Sequence, residues 1–305
     1  MKLMIKRVVS LALMTIMISS MVACNATKFE ESDNLIEAST LVSLLSESDT
    51  IVIDARSEED YNKGHIKGAI NLPPSLLTIS EPVSGMIAPK EQVEQVLGAH
   101  GISADSKVYI YDNAAGVYAS RVWWVLKSYG HESVKVINNG ETAIIALSPD
   151  KLELTLDVPE VTAVTYTAKD FDLSTYASID DVKAVIDGEV EACIIDVRSQ
   201  AEYDEGAIPG AILYPHTSNL YADGSFRSGR DIYLDYNDLG IKRDEPVILY
   251  CKSSFRATQT LLLLQEAGYE NVKVYDGAWL EWSMNDMPKE EKSEEVTTPS
   301  ASDGS

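Results

Sequence analysis

The sequence predicts an α/β protein of two similar domains, each a mostly parallel β-sheet with helices on both faces. The first observation is an internal repeat, in which the pattern of residues 52–70 returns over residues 194–212. A period this long indicates a duplicated domain rather than a solenoid. The second observation is that short apolar runs alternate with helical patterns, which favours parallel strands covered on both faces. The 305 residues, 45% of them hydrophobic, suit roughly two domains.

The secondary-structure elements are clearest in the second copy, where the hydrophobic period separates strands from helices. Apolar runs over residues 192–196, 247–250 and 272–275 predict strands. Helical patterns cover residues 179–188 and 257–267. The last two strand segments have counterparts in the first copy, so we expect the same sheet there.

The repeat also sets the expected domain boundaries. Prolines and scattered charges separate the two copies, and the last stretch is rich in Glu, Lys, Ser and Thr without an apolar period, which is typical of disorder. We therefore expect a first domain over residues 34–147, a linker over 148–166, a second domain over 167–288 and a disordered tail over 289–305.

The acidic composition narrows the classes of function. The formal net charge is −23, whereas a nucleic-acid backbone is gripped by clustered Lys and Arg, so nucleic acid is excluded as a partner. The same charge argues against electrostatic attachment to an anionic membrane. A small anionic substrate would have to be attracted by a local positive patch against the overall field.

The N-terminus has the features of an export signal. Cationic residues precede an apolar run over residues 8–23, which predicts a secretory signal peptide. The ending Met21-Val22-Ala23-Cys24 resembles the bacterial lipoprotein signal, and that resemblance implies cleavage before Cys24 and a diacylglycerol on its sulfur. The protein would then be extracytoplasmic and lipid-anchored to the cell envelope, with a net charge of −26 in place of −23. An ordinary signal peptide with a chance cysteine is the alternative.

Cys251 is the candidate nucleophile. It follows a predicted buried strand and precedes a predicted helix, where unpaired backbone N–H groups and the helix dipole favour an anion such as a thiolate. Lys252 and Arg256 flank the thiol with two cationic groups that would hold an anionic substrate. Cys193 lies in an apolar run and is expected to be an inert core thiol, and we do not expect it to pair with Cys251.

These features together resemble the tandem rhodanese family, the thiosulfate and 3-mercaptopyruvate sulfurtransferases. Asp-x-Arg and Gly-x-Ile-x-Gly-Ala signatures recur in both copies, Tyr250-Cys251 opens the active-site loop, and residues 276–282 form the closing motif. The resemblance covers roughly residues 35–288. It implies two rhodanese-like domains, of which the second is catalytic. Asp112 stands where the first domain would carry the cysteine, so that domain is expected to be catalytically silent and to form one wall of the cleft.

The resemblance also implies the chemistry. The thiolate would take the outer sulfur of thiosulfate, or the thiol sulfur of mercaptopyruvate, as a persulfide and pass it to a thiol, cyanide or a protein cysteine. Backbone N–H groups of residues 252–256 would stabilise the anionic sulfur. No metal or organic cofactor is expected, membrane contact is expected only through the lipid anchor, and the protein is expected to be a monomer.

The expected roles of the individual residues follow from the same resemblance. Asp54 with Arg56, and Asp196 with Arg198, are expected to be structural pairs. The substrate-binding candidates are Lys252, Ser253, Ser254, Phe255, Arg256, Arg230 and Trp279. Ser254 departs from the family pattern, because most members have glycine there, and a positive φ would strain a serine.

Two other classes of function remain open. Cysteine-dependent phosphatases and arsenate reductases also join a cysteine and an arginine on an anion-binding loop, but they place five residues between the two, and four lie between Cys251 and Arg256. A non-catalytic binding or sulfur-carrier module is the second alternative, and the departure at Ser254 gives it some weight.

Overall fold

The computed structural model describes residues 29–290. The first domain contains six strands: β1 (Leu35–Ile36), β2 (Thr50–Asp54), β3 (His65–Ile66), β4 (Ile70–Asn71), β5 (Lys107–Tyr111) and β6 (Val134–Ile137). A further strand, β7 (Leu154–Thr155), lies in the segment that follows this domain. The helices of the first domain are α1 (Ala38–Leu44), α2 (Glu58–Tyr61), α3 (Lys90–Ala99), α4 (Val117–Ser128) and α5 (Gly140–Leu147).

As far as the chain is described, the second domain repeats this series of elements without strands that correspond to β3 and β7. Its strands are β8 (Tyr176–Ala177), β9 (Cys193–Asp196), β10 (Ile212–Leu213), β11 (Val247–Tyr250) and β12 (Val272–Tyr275). Its helices are α6 (Ile179–Ile186), α7 (Gln200–Asp204), α8 (Gly229–Asp238), α9 (Phe255–Glu266) and α10 (Ala278–Met284).

The two sheets have the same topology. The first is ordered β1-β6-β5-β2-β4 and the second β8-β12-β11-β9-β10, and every neighbouring pair within them is parallel. Helices cover both sheets, so the predicted α/β class is confirmed. Because parallel strands end at a common edge, loops that follow neighbouring strands meet there.

The helices of the second domain begin where the sequence offers side-chain caps. Ser178 and Asp181 form a capping box at α6, and Ser199 and Glu202 form one at α7. Each box satisfies backbone N–H groups that have no partner inside the helix. The start of α7 is therefore fixed beside the end of β9, and this placement brings Glu202 near the catalytic loop.

The domains share one apolar core. Trp123 of α4 and Leu261 of α9 belong to the same cluster of buried side chains, and the two helices pack against each other. This cluster ties the first domain to the helix that follows Cys251. The loop after β11 is therefore held by both halves of the chain.

The segment between the domains is mostly extended and follows the first domain. Within it, β7 pairs antiparallel with β3, the Val164 N–H donates to the Gly98 carbonyl at 3.0 Å, and Tyr166 is buried. At the other end, Glu290 pairs antiparallel with Ala207, so the start of the predicted disordered tail is ordered as far as that residue.

The predictions of a signal peptide and of lipidation at Cys24 lie outside the described residues, as does most of the predicted tail. Between residues 29 and 290, none of the helices has the length and apolar character needed to cross a membrane.

Candidate active site

Cys251 lies directly after the fully buried strand β11, at the edge where the parallel strands of the second sheet end. The residue itself is 1% exposed. Its carbonyl accepts a hydrogen bond from the Trp279 N–H at 3.0 Å, and the Lys252 carbonyl accepts one from the Leu280 N–H at 3.1 Å. Backbone N–H groups in the first turn of α10 therefore hold the loop that follows Cys251 in place.

The loop then turns sharply into α9. Ser254 adopts the left-handed conformation, with φ 64° and ψ −17°, and Phe255 begins the helix. The N-terminal end of α9, where the first N–H groups of a helix have no partner further along it, follows Cys251 by four residues. The sequence predicted this strand–loop–helix arrangement, although α9 begins two residues earlier than expected.

Arg256 is held by an anion that the sequence analysis did not identify. Its two terminal nitrogens donate to the two carboxylate oxygens of Glu202, at 2.7 and 2.8 Å. These hydrogen bonds, and to a lesser degree the neighbouring Cys251, raise the pKa of Arg256. The same contact, together with the N–H and hydroxyl of Ser199, lowers the pKa of Glu202 to about 2. Arg256 thus faces Cys251 with its charge already partly compensated.

The corresponding loop of the first domain holds an anion at the end of its strand. The Asp112 carboxylate follows β5 as Cys251 follows β11, and it accepts four backbone N–H bonds. The donors are Ala114 at 3.0 Å, Gly116 at 2.8 Å, Tyr118 at 2.7 Å and Ala119 at 2.9 Å. We call these four N–H groups the amide cradle. Burial raises the pKa of Asp112, and the cradle acts in the opposite direction.

The two Asp-x-Arg pairs are buried at corresponding places. Arg198 donates to both carboxylate oxygens of Asp196 at 2.6–3.0 Å and to the Gly206 carbonyl at 2.6 Å. Arg56 binds Asp54 in the same way. Each pair closes the loop that follows its strand, and these contacts fit the structural role that the sequence suggested.

The remaining substrate-binding candidates lie in different surroundings. Lys252 is exposed, and Ser253 and Phe255 are partly buried. Phe255 also lines a cavity of about 780 Å³ on the first domain, whose walls include Tyr61 and Tyr118. The Trp279 ring lies 4.5 Å from the guanidinium carbon of Arg198 and covers that structural pair.

Arg230 is not brought to the loop, so its predicted place in the site is wrong. It is the second residue of α8, and the backbone of the preceding Gly229 lies against the Glu266 carbonyl at the C-terminal end of α9. Cys251 lies at the other end of that helix, about 18 Å away for twelve residues. Ser228 caps α8 and fixes this direction.

Two further residues were not assigned to the site from the sequence, although one of them opens the closing motif. Arg121 of the first domain and Asp276 of the second form an ion pair at 2.8 Å, and both side chains are completely buried. Arg121 also donates to the Ser254 hydroxyl at 2.9 Å. A lone arginine inside the apolar helix α4 was the available signal, because a buried charge requires a partner.

Among residues 29–290, no group of three or more His, Cys, Asp or Glu side chains is arranged so that it could hold a metal ion.

Comparison with known proteins agrees with this architecture. The family model described as "Rhodanese-like domain" matches residues 37–146 and 178–285. The thiosulfate sulfurtransferase of Azotobacter vinelandii is 30% identical over 266 residues, which cover 84% of this chain and 96% of that protein.

Solved structures give the same result. The structure of SseA from Escherichia coli, a 3-mercaptopyruvate sulfotransferase by its description, superposes with a TM-score of 0.71 and 28% identity, covering 80% of this chain and 98% of that one. The anaerobic ergothioneine biosynthesis enzyme from Chlorobium limicola gives a TM-score of 0.77 at 25% identity, covering 88% and 72%. The chain therefore belongs to the rhodanese-like family and is an enzyme of the sulfurtransferase class.

Proposed function

We propose that the protein moves a sulfane sulfur from thiosulfate, or from mercaptopyruvate, to a thiophilic acceptor through a persulfide on Cys251. The Cys251 thiolate attacks the outer sulfur of thiosulfate, the S–S bond of the donor breaks, and sulfite leaves with the bonding electron pair. With mercaptopyruvate the thiolate attacks the thiol sulfur, the C–S bond breaks, and pyruvate leaves as its enolate, which takes up the thiol proton. An acceptor such as cyanide, a thiol or a protein cysteine then attacks the outer persulfide sulfur, and the Cys251 thiolate is the leaving group. No external oxidant or reductant is needed.

The observation that carries this proposal is the amide cradle around Asp112. The same strand–loop–helix, in its first-domain copy, directs four backbone N–H groups at one buried anion. A thiolate or persulfide at Cys251 needs the same support, because its negative charge is buried at the equivalent strand end. Replacement of the nucleophile by a carboxylate in the first domain leaves that domain without a sulfur acceptor.

The charges beside the loop support a small anionic donor. Arg256 lies against Cys251, and Lys252 is exposed at the mouth of the loop. Glu202 compensates part of this positive charge, so the donor would be held mainly by N–H groups and by the remaining field of the two cations. The named relatives act on thiosulfate or mercaptopyruvate, and basic loop residues favour the compact dianion.

The test is mass spectrometry of the mature chain after incubation with thiosulfate. We expect a gain of one sulfur atom on Cys251, release of sulfite, and loss of the added sulfur when cyanide is supplied. The Cys251→Ser variant is the control for modification elsewhere. A protein that binds thiosulfate but gains no sulfur would be a non-catalytic module, and hydrolysis of a phosphate ester without sulfite release would indicate the phosphatase class instead.

The proposal extends to the place of action. The lipoprotein-like sequence at Cys24 supports an extracytoplasmic protein anchored to the cell envelope by lipid. We expect it to act as a monomer, because Arg121 and Ser254, which meet at the loop, come from the two domains of one chain. Radiolabelled palmitate incorporated by the producing bacterium into the wild type but not into a Cys24→Ala variant would support the anchor, and an unlabelled wild type would contradict it.

A further inference from the structure

The departure from glycine at Ser254 is explained by a buried network that joins the domains. Ser254 is completely buried and has a positive φ, yet its side chain does not cap α9. The left-handed region is unfavourable for a residue with a Cβ, so the serine must be held there by other contacts. The contacts are with the ion pair between Arg121 and Asp276.

The geometry of this network is compact. One terminal nitrogen of Arg121 lies 2.9 Å from the Ser254 hydroxyl and 2.8 Å from Oδ1 of Asp276. The Ser254 hydroxyl lies 3.0 Å from the same Oδ1 and 2.7 Å from the Ser253 carbonyl, so its proton is directed to one of these two acceptors. The hydroxyl therefore accepts from the first domain and donates within the second.

The network also fastens a first-domain segment over the loop. Arg121 donates from its other terminal nitrogen to the Gly85 carbonyl at 2.8 Å, and Oδ2 of Asp276 accepts from the Ile87 N–H at 2.8 Å. A Cβ at Gly85 would lie 3.4 Å from the Cβ of Ser253, so this segment is in contact with the Cys251 loop. Buried charges with several satisfied hydrogen bonds form a rigid support.

The corresponding turn of the first domain, the catalytically silent half of the molecule, has a glycine in place of Ser254 and so makes no such side-chain contact. Gly116 takes the left-handed position before α4, with φ 82°, and Gln259 of the second domain reaches the neighbouring Ala115 carbonyl at 2.6 Å. That cross-domain bond joins a neutral amide to the backbone. Among the residues described, it is the turn after Cys251 whose side chain, that of Ser254, contacts an ion pair between the two domains.

We propose that Ser254 is a positioning residue through which the first domain, by way of Arg121 and Asp276, sets the geometry of the Cys251 loop. The inference rests on the proposed function and deepens it. The silent domain thereby contributes to turnover without touching the sulfur.

The test uses Ser254→Gly, which accepts the left-handed conformation but removes the hydroxyl. We expect kcat for sulfite release to fall on the order of tenfold while KM for thiosulfate stays nearly unchanged, because misplacement of a reacting group lowers the rate of the chemical step. The alkylation rate of Cys251 by iodoacetamide, followed by mass spectrometry on the peptide that contains Cys251, should change as well. A variant equal to the wild type in both readouts would overturn the proposal.

The matched control is Gln259→Met, which removes the cross-domain bond of the silent half. Its kcat should stay within about a factor of two of the wild type, because it does not act on the loop. A loss as large as that of Ser254→Gly would mean that any weakening of the domain contact impairs turnover, and the specific role of Ser254 would be rejected.

A double-mutant cycle shows whether Ser254 acts through Arg121. Arg121→Lys keeps one positive charge but cannot reach Ser254, Asp276 and Gly85 together, so its effect on the alkylation rate should overlap with that of Ser254→Gly. Additive effects would contradict the proposal. The alkylation rate can be measured without sulfur transfer. If the wild type releases no sulfite, the proposed function is disproved, and the alkylation rates of the variants still test the positioning role.

Discussion

The loops after β5 and β11 occupy the same place in two copies of one fold, and they differ at the residue that ends the strand. The Asp112 carboxylate accepts hydrogen bonds from four N–H groups of its loop. At the buried Cys251 the corresponding acceptor is a sulfur atom, whose charge changes during the reaction. Anion binding is therefore a property of the strand–loop–helix that both domains share. Reactivity depends on the single side chain that ends the strand.

The second difference is the support that each loop receives. The Asp112 loop contains its own anion, and Gly116 is the N-cap residue of the helix that follows it. The Cys251 loop has Ser254 at that point and is held by Arg121 from the other domain. A loop without a permanent anion has fewer internal contacts, so external support has more influence on its shape.

The largest expected effect comes from making the two halves alike. Cys251→Asp should lower sulfite release by about 10³-fold or more, because the nucleophile is lost. The chain should remain folded, since Asp112 occupies the equivalent place. Steady-state assays with thiosulfate and far-UV circular dichroism measure the two quantities. Cys251→Ser separates the loss of the thiol from the added charge, and sulfite release retained in either variant would disprove the role of Cys251.

The converse substitution weakens the silent half. In Asp112→Asn, one carboxylate oxygen is replaced by an amide NH₂ that cannot accept, so two N–H groups of the amide cradle lose their partner. We expect the free energy of unfolding to fall by about 2–4 kcal/mol, measured by urea denaturation, with little change in kcat of the folded protein. The exposed Asp150→Asn variant is the control. If Asp112→Asn were as stable as that control, the cradle would not be a strong anion site.

Much of this comparison is predictable from the sequence, because it depends on local patterns. Strands and helices have short hydrophobic periods, and the repeat aligns Asp112 with Cys251 without reference to any structure. The place of Cys251 at a strand end and before a helix follows from the same patterns. These features determined the fold class and the candidate nucleophile.

The contacts of the site were less predictable, because they join residues that are distant in the chain. Glu202 and Arg256 are 54 positions apart, and Arg121 and Asp276 are 155 apart. No periodicity relates such residues, although the capping box at α7 and the lone arginine in α4 were partial signals. Arg230 illustrates the reverse error, because a basic residue in a suitable segment is directed away from the loop by the helix in which it is the second residue.

A moderate effect is expected from releasing Arg256. Glu202→Gln removes the carboxylate that compensates the guanidinium beside Cys251, so KM for thiosulfate should fall about threefold at low ionic strength. Counted from Asp112 as Arg256 is counted from Cys251, the corresponding residue of the first-domain loop is Val117, so that loop should be unaffected. An unchanged KM would show that Arg256 does not contribute to binding of the donor.

The same variant gives a pH test of the ion pair. The pKa of Glu202 falls from 4.5 to about 2 in the folded protein, with Arg256 as the main cause. A carboxyl whose pKa is lowered by folding stabilises the native state above its unfolded value, and that stabilisation is lost as the pH falls. The wild type should therefore be more stable than Glu202→Gln above about pH 4.5, and the difference should vanish as the pH falls through about 2. Urea denaturation at pH 6 and pH 3 tests whether the difference shrinks.

The smallest effect concerns the exposed cation of the active loop. Lys252→Gln should raise KM for thiosulfate by about twofold at low salt, because an exposed charge contributes weakly. The effect should disappear near 1 M salt, where the screening length is about 3 Å. Arg230→Gln removes the same charge at the far end of α9 and should leave KM unchanged. An equal rise in both variants would mean that the donor responds to the net charge of the whole acidic protein, and the local difference between the two loops would then not determine donor binding.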